Sequence, residues 1–208
     1  NNPKYGHVVT VPISNNSYYC DQQFSALQLA KHTLENTEFE ACTFINCDLS
    51  QGQFKTCRFI ECSFEHCNLS SIEWGYSSLE NVSFSHCKLN SVQWSNAYWG
   101  ALSIDAPVSF NSCELSNSSF YELTLKSLKL IHCFAKNVDF RHANLKQSTF
   151  TGSNFRDSEF FQTTLTECDF VGATEFNIDL NSNTLAGAKF ERFEALNLLT
   201  SLNIELCD

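Results

Sequence analysis

A large apolar residue stands at every fifth position along most of this chain. Between Glu38 and Leu69 the series runs Phe39, Phe44, Leu49, Phe54, Phe59, Phe64 and Leu69. Two places before each stands a small residue: Thr37, Cys42, Cys47, Gly52, Cys57, Cys62 and Cys67. A period of five matches neither the α-helix nor the flat strand. It requires a backbone that turns a corner every five residues, which is a repeat architecture. Five residues per side and four sides make a coil of about twenty residues, and coils stack as parallel rungs ~4.8 Å apart. The pattern therefore predicts an all-β solenoid. The small residue is required because four sides converge on a narrow axis, where a large side chain overpacks. Ile72, Leu102, Leu123 and Leu128 break that rule and predict local bulging.

Residues 1–20 are out of register, and their VVTVPI run reads as an N-terminal cap over the open coil edge. The repeat spans 21–190. It begins weakly at Phe24, Leu29 and Leu34 and runs through Leu79, Phe84, Leu89, Trp94, Trp99 and Ile104. At DAPVSF the spacing becomes six, with Pro107, and the phase restarts at Phe110; this reads as a one-residue insertion near 105–109. The repeat continues through Phe120, Leu130, Phe140, Phe150, Phe160 and Phe170, then fades across Glu175, Leu180, Leu185 and Phe190. The register predicts ladders: Phe24, Phe44, Phe64 and Phe84 on one side, Trp74 and Trp94 on another, and Cys47, Cys67 and Cys87 on a third.

Residues 191–208 change character. Phe193, Leu196, Leu199 and Leu202 form a helical stripe, and NIELC follows, so a C-terminal helix and strand are expected to cap the last coil. Leu198, Ile204 and Leu206 add more apolar surface than a small cap needs, which suits dimerisation.

Composition narrows the chemistry. Nine of eleven cysteines share the small-residue phase, Cys20 and Cys207 being the exceptions, and thiols placed so act as small buried hydrophobes. No paired C-x-x-C occurs, so no metal site is expected, and free thiols fit a reducing compartment. No apolar run is long enough for a membrane span, and NNPKYGHVVTVPI lacks the layout of a signal peptide, so a cytoplasmic protein is expected. A net charge of −10 argues against nucleic acid as a direct ligand and suits a basic partner. No nucleophile elbow, phosphate loop or HExxH motif is present, and the carboxylates are spread out, so neither enzyme activity nor a cofactor is expected. His66 and His86 share an outward phase one coil apart and read as surface residues.

The segments TEFEACTFINCDL, SSFYELTLKSLKL and VDFRHANLKQSTFTGSNFRDSEF resemble the pentapeptide repeat proteins, whose consensus is A(D/N)Lxx. Asn144-Leu145 and Asn154-Phe155 keep the consensus Asn; Asp48-Leu49, Asp139-Phe140 and Asp169-Phe170 keep the Asp. The resemblance covers about residues 20–190 and implies a right-handed quadrilateral parallel β-helix. SVQWSNAYW and FEALNLLTSLNIEL resemble the topoisomerase-poison resistance branch, which includes the Qnr quinolone-resistance proteins, MfpA, McbG and AlbG. That branch implies a C-terminal homodimer, here through Phe193, Leu196, Leu198, Leu199, Leu202, Ile204 and Leu206. It also implies an acidic rod that resembles duplex DNA and binds DNA gyrase or topoisomerase IV. Leu180 stands where a proline is usual in that branch, and the long projecting loops of Qnr proteins are absent, which sets the chain nearer the loop-poor members.

With one residue inserted, one side follows Phe39, Phe59, Leu79, Trp99, Phe120, Phe140, Phe160 and Leu180. It carries Glu38, Glu40, Glu61, Glu80, Glu122, Asp139, Glu159 and Asp179 against Arg58 and Arg141, a net of −6, while the other sides come to about −1, +2 and −1. Such a line of carboxylates resembles a phosphate backbone and is the expected gyrase contact. The expected function is a non-enzymatic DNA mimic giving resistance or immunity to quinolone, albicidin or microcin-type poisons. The alternative is a structural scaffold repeat protein without a topoisomerase role.

Overall fold

The structure, a computed structural model, describes residues 13–100, 106–202 and 204. Most of the VVTVPI run, Leu102, Ile104, Leu206, Cys207 and most of the NIELC run lie outside them. Within them the chain is a parallel β-solenoid with four sides per coil. Each side is named here for its central residue within the stretch 24–39: Phe24, Leu29, Leu34 and Phe39. On the Phe24 side, strands Gln23–Ser25, Thr43–Ile45, Ser63–Glu65, Val82–Ser85, Val108–Asn111 and Lys129–Ile131 pair in parallel, and bridges continue to Thr149 and Asp169. The Phe39 side starts with Tyr18–Cys20, Glu38–Glu40, Arg58–Ile60 and Ser78–Glu80.

The central residue of each side points to the axis. Phe24, Phe44, Phe64 and Phe84 stack with centroids 5.0, 4.6 and 5.1 Å apart. Trp74 and Trp94 stack at 5.9 Å. Cys47, Cys67 and Cys87 form the third ladder, joined by N–H donation from Cys47 to the Cys67 sulfur (3.3 Å) and from Cys67 to that of Cys87 (3.4 Å). All three ladders lie in the register the period predicts.

Corners explain the outward residues. The second residue after most central ones adopts a left-handed backbone, as in Asn36, Ala41, Asn46 and Gln51, with φ between 50° and 56°. A left-handed residue with a side chain costs of order 1–2 kcal/mol, and Asn, Asp and His tolerate it best. His66, His86, His132 and His142 all occupy such corners. His66 and His86 stack there at 4.8 Å.

The expected bulging does not disturb the pairing. Ile72 and Leu128 are buried, and bridges continue directly beside them at Gln53–Glu73 and Lys129–Thr149. In the coil that holds Leu123 and Leu128 the central residue Ala135 is small, which returns volume to the axis.

The step near Pro107 differs from expectation. Partners lie twenty residues apart below it (Ser63–Ser83) and above it (Ser109–Lys129), but Ser83 pairs with Ser109 across it. The coil therefore gains six residues, not one. Phe120 stacks on Trp94 at 5.6 Å and 14°, and not above Trp99. A period-five pattern reports an insertion only modulo five, so one added residue and six leave the same phase. The extra residues lie between Trp99 on the Phe39 side and Ala106, whose N–H donates to the Lys126 carbonyl.

At the far end the spacing drops to eighteen on one side, where Phe160 pairs with Ile178, and returns to twenty at Thr164–Thr184 and Asp169–Lys189. Glu194–Leu202 forms a nine-residue 3-10 helix. The stripe at intervals of three matches the 3-10 period of three residues per turn.

Candidate functional site

The six-residue step redistributes the acidic side. Glu38, Glu40, Glu61 and Glu80 remain on the Phe39 side below the step. Above it, bridges run Gln93–Ser119–Asp139–Glu159, which places Glu122, Asp139 and Glu159 on the Leu34 side, with Asp179 at its end beside Ile178. The expected single line of eight carboxylates is thus two segments on neighbouring sides, joined across one corner.

Counted in this register, the Leu34 side holds Glu35, Glu73, Glu122, Asp139, Glu159 and Asp179 against Lys55 and Arg141, a net of −4. The Phe39 side holds Asp21, Glu38, Glu40, Glu61, Glu80 and Glu167 against Arg58, Lys126 and Lys146, a net of −3. The other two sides are each neutral on the same count, among the described residues. Glu35 and Glu73 were missed as members of the acidic surface; the step that hides them is invisible to a pattern read modulo five.

Each segment is built around one arginine. Arg58 reaches Glu38 at 2.9 Å and Glu80 at 3.9 Å, one coil below and one above. Arg141 holds Asp139 at 2.8 Å and Glu159 at 3.1 Å. These pairs are exposed, and such pairs contribute about 0–1 kcal/mol each. Their larger effect is to fix side-chain positions. Burial pushes the Asp139 carboxyl up, but hydrogen bonds from the Arg141 side chain and backbone N–H outweigh it and hold its pKa below the usual carboxylate value. The Tyr18 hydroxyl donates to Glu40, and that bond raises the phenol's pKa. Glu61 and Glu122 project from left-handed corners, with φ of 52° and 59°.

The C-terminal apolar residues divide. Phe193 is 81% exposed, Leu196 and Leu202 are 43% and Ile204 is 50%, whereas Leu198 is buried within the chain's own cap and Leu199 is half-buried. Among the described residues no group of three or more His, Cys, Asp or Glu could hold a metal, and no helix is long and apolar enough to cross a membrane.

A family model for the pentapeptide repeat region matches residues 37–107 and 106–190. The chain belongs to the pentapeptide repeat family. None of the curated proteins matches it by sequence. Among solved structures it is similar to a trypsin-treated variant of QnrB1, a plasmid-mediated fluoroquinolone resistance protein. The TM-score is 0.68 and the identity 18%, over 93% of each chain. Full-length QnrB1 aligns over 88% of this chain and 100% of its own, with a TM-score of 0.59 and 20% identity. At that identity the likeness establishes a shared pentapeptide repeat fold.

Proposed function

We propose that this pentapeptide repeat protein is a non-enzymatic DNA mimic that binds DNA gyrase or topoisomerase IV and counters quinolone-, albicidin- or microcin-type poisons. The observation that carries the reading is the charge: two neighbouring sides hold a net −4 and −3 while the other two are neutral. A rod of stacked rungs with carboxylates along one edge offers a basic DNA-binding surface the charge it normally meets on duplex DNA. The fold shared with a fluoroquinolone resistance protein supports the reading. The mechanism is competition for the DNA surface, or destabilisation of a poisoned cleavage complex. Nucleic acid itself is not the ligand, because phosphates would meet like charge.

The exposed Phe193, Leu196, Leu202 and Ile204 support a homodimer joined at the C-terminus. Sedimentation should show the wild-type chain as a dimer and the Phe193→Asp, Leu202→Asp double variant as a folded monomer. The functional test is a gyrase supercoiling assay with and without quinolone, albicidin or microcin. No effect of the protein in any arm would sink the proposal.

One observation favours a scaffold role instead. Arg58 and Arg141 lie within the acidic segments and pair with four of the carboxylates. A scaffold keeps its function after charge reversal at Glu61, Glu80 and Glu122; a mimic loses enzyme binding.

A further inference from the structure

Outward positions of this solenoid are mostly polar, because they face water. The Leu34 side above the step departs from that. Tyr121 and Phe161 follow central residues two coils apart and are 36% and 47% exposed. His142, at the corner of the coil between them, meets both rings edge-on, at 5.4 Å from Tyr121 and 5.9 Å from Phe161. The Arg141 guanidinium lies 5.7 Å from the Tyr121 centroid. The same guanidinium is clamped by Asp139, to which its Nε and Nη2 donate at 2.9 and 2.8 Å, and by Glu159. The result is a ridge of four side chains whose rotamers are already held by one another. None of the four is needed by the core, which is complete at Phe120, Phe140 and Phe160.

We propose that this ridge is the anchor of a protein-docking face, and that its partner is a basic protein surface presenting apolar or cationic side chains to the rings. Exposed aromatics and arginine are the residues that dominate binding energy at protein interfaces, and side chains ordered before binding lose little entropy on it. Charge selects the occupant. Glu122, Asp139, Glu159 and Asp179 share this side with the ridge, and Arg141 is its one Lys or Arg above the step among the described residues, so a basic surface is attracted. Nucleic acid meets like charge on this face, as does the same side of a second copy of this chain. Beside the ridge lies an open depression of about 310 Å³, lined by Asn117, Asn137, Asp139, Arg141 and Glu159, in which a lysine or arginine head group finds acceptors. Acidic groups steer the encounter, and the aromatic ridge supplies the contact that holds it. The identity of the partner as gyrase or topoisomerase IV rests on the function proposed above; the location and chemistry of the face do not.

The test uses the full chain against immobilised gyrase and immobilised topoisomerase IV, at low and at high salt. The Tyr121→Ser, Phe161→Ser double variant removes the rings and no charge. It should bind about tenfold or more weakly, with an unchanged salt dependence. Phe134→Ser removes a similarly exposed ring from the Leu29 side and should bind like the wild type. All three proteins should melt alike, since these rings lie outside the core. Unaltered binding of the double variant, or an equal loss in Phe134→Ser, overturns the assignment. Ridge-dependent binding to duplex DNA or to the chain itself, each immobilised in a further arm, also overturns it. If wild type binds neither enzyme, the topoisomerase reading falls and the partner assignment with it; if wild type binds and the ridge is indifferent, only the ridge assignment falls.

Discussion

Cys67 shows that the inward position selects for more than small volume. Its sulfur lies 3.3 Å from the carbonyls of both Phe44 and Glu65, which share its one S–H, and accepts the Cys47 N–H. Ser77 and Ser153 do the same work, accepting N–H from Cys57 and Cys133 and donating to the carbonyls of Phe54 and Leu130. Cys67→Ser should therefore change stability by less than about 1 kcal/mol, while Cys67→Ala should cost about 1–3 kcal/mol by leaving a buried N–H unpartnered. Cys67→Leu should cost a similar 1–3 kcal/mol by overpacking. Urea unfolding of the three variants checks the order. Burial pushes the Cys57 thiol up and that of Cys168 to about 12, so these two stay as thiols at neutral pH. Of the described cysteines only Cys20 is exposed and should react with a thiol reagent before unfolding. Asp139 gives a second residue-scale expectation. Its pKa is lower folded than unfolded, so its stabilisation is present above the unfolded value of about 3.9 and is lost as pH falls through the folded value. The difference in urea midpoint between wild type and Asp139→Asn should hold from neutral pH to about pH 5 and shrink below about pH 4.

At the scale of the element, one side is five residues and one corner, and the corner is where strain is spent. Every coil repeats it, so the architecture depends on many small satisfied bonds and on continuous aromatic stacks, not on any single contact. The six-residue step tests this. Trp99 keeps the Phe39 side through the Ser78–Tyr98 bridge, and Ala106 rejoins the coil above. Deleting residues 100–105 should preserve the Trp94–Phe120 and Phe84–Phe110 stacks. It should change stability little, because loop length enters closure entropy only logarithmically. Unchanged tryptophan fluorescence with a melting temperature within a few degrees of wild type is the expected result; loss of cooperative unfolding would show that the step is structural. The sequence made the coil, the ladders of Phe44, Trp74 and Cys67 and the C-terminal stripe legible, because each is a matter of phase. It could not reveal how many residues the step adds, nor that Leu198 turns inward while Phe193 and Leu202 turn out. Those depend on three-dimensional partners that a linear period does not encode. The candidate site suffered most, since its membership depends on register across the step.

For the whole molecule, nine central residues from Phe24 to Phe190 on one side make a rod of about 40 Å. Along it the negative charge begins on the Phe39 side, crosses one corner at the step and continues on the Leu34 side, while Lys126 and Lys146 make the upper Phe39 side weakly basic. A partner that reads the rod as duplex DNA must follow that crossing, so it has to contact both segments. Replacing Glu38, Glu40 and Glu80 by Gln neutralises the lower segment; replacing Glu122 and Glu159 by Gln and Asp179 by Asn neutralises the upper. These positions are outward-facing, so neither set should lower the melting temperature by more than a few degrees. Each set should weaken binding to gyrase or topoisomerase IV and flatten its dependence on salt, because fewer charges are then screened. The nearest members of the two sets, Glu80 and Glu122, lie just under two coils or roughly 9 Å apart along the rod, so the two losses should be nearly additive when combined. Binding constants for wild type, the two sets and their combination, measured across a salt series, decide the matter. Loss from one set alone confines the contact to that segment and rules out a continuous mimic of duplex DNA; loss from neither leaves the scaffold reading standing.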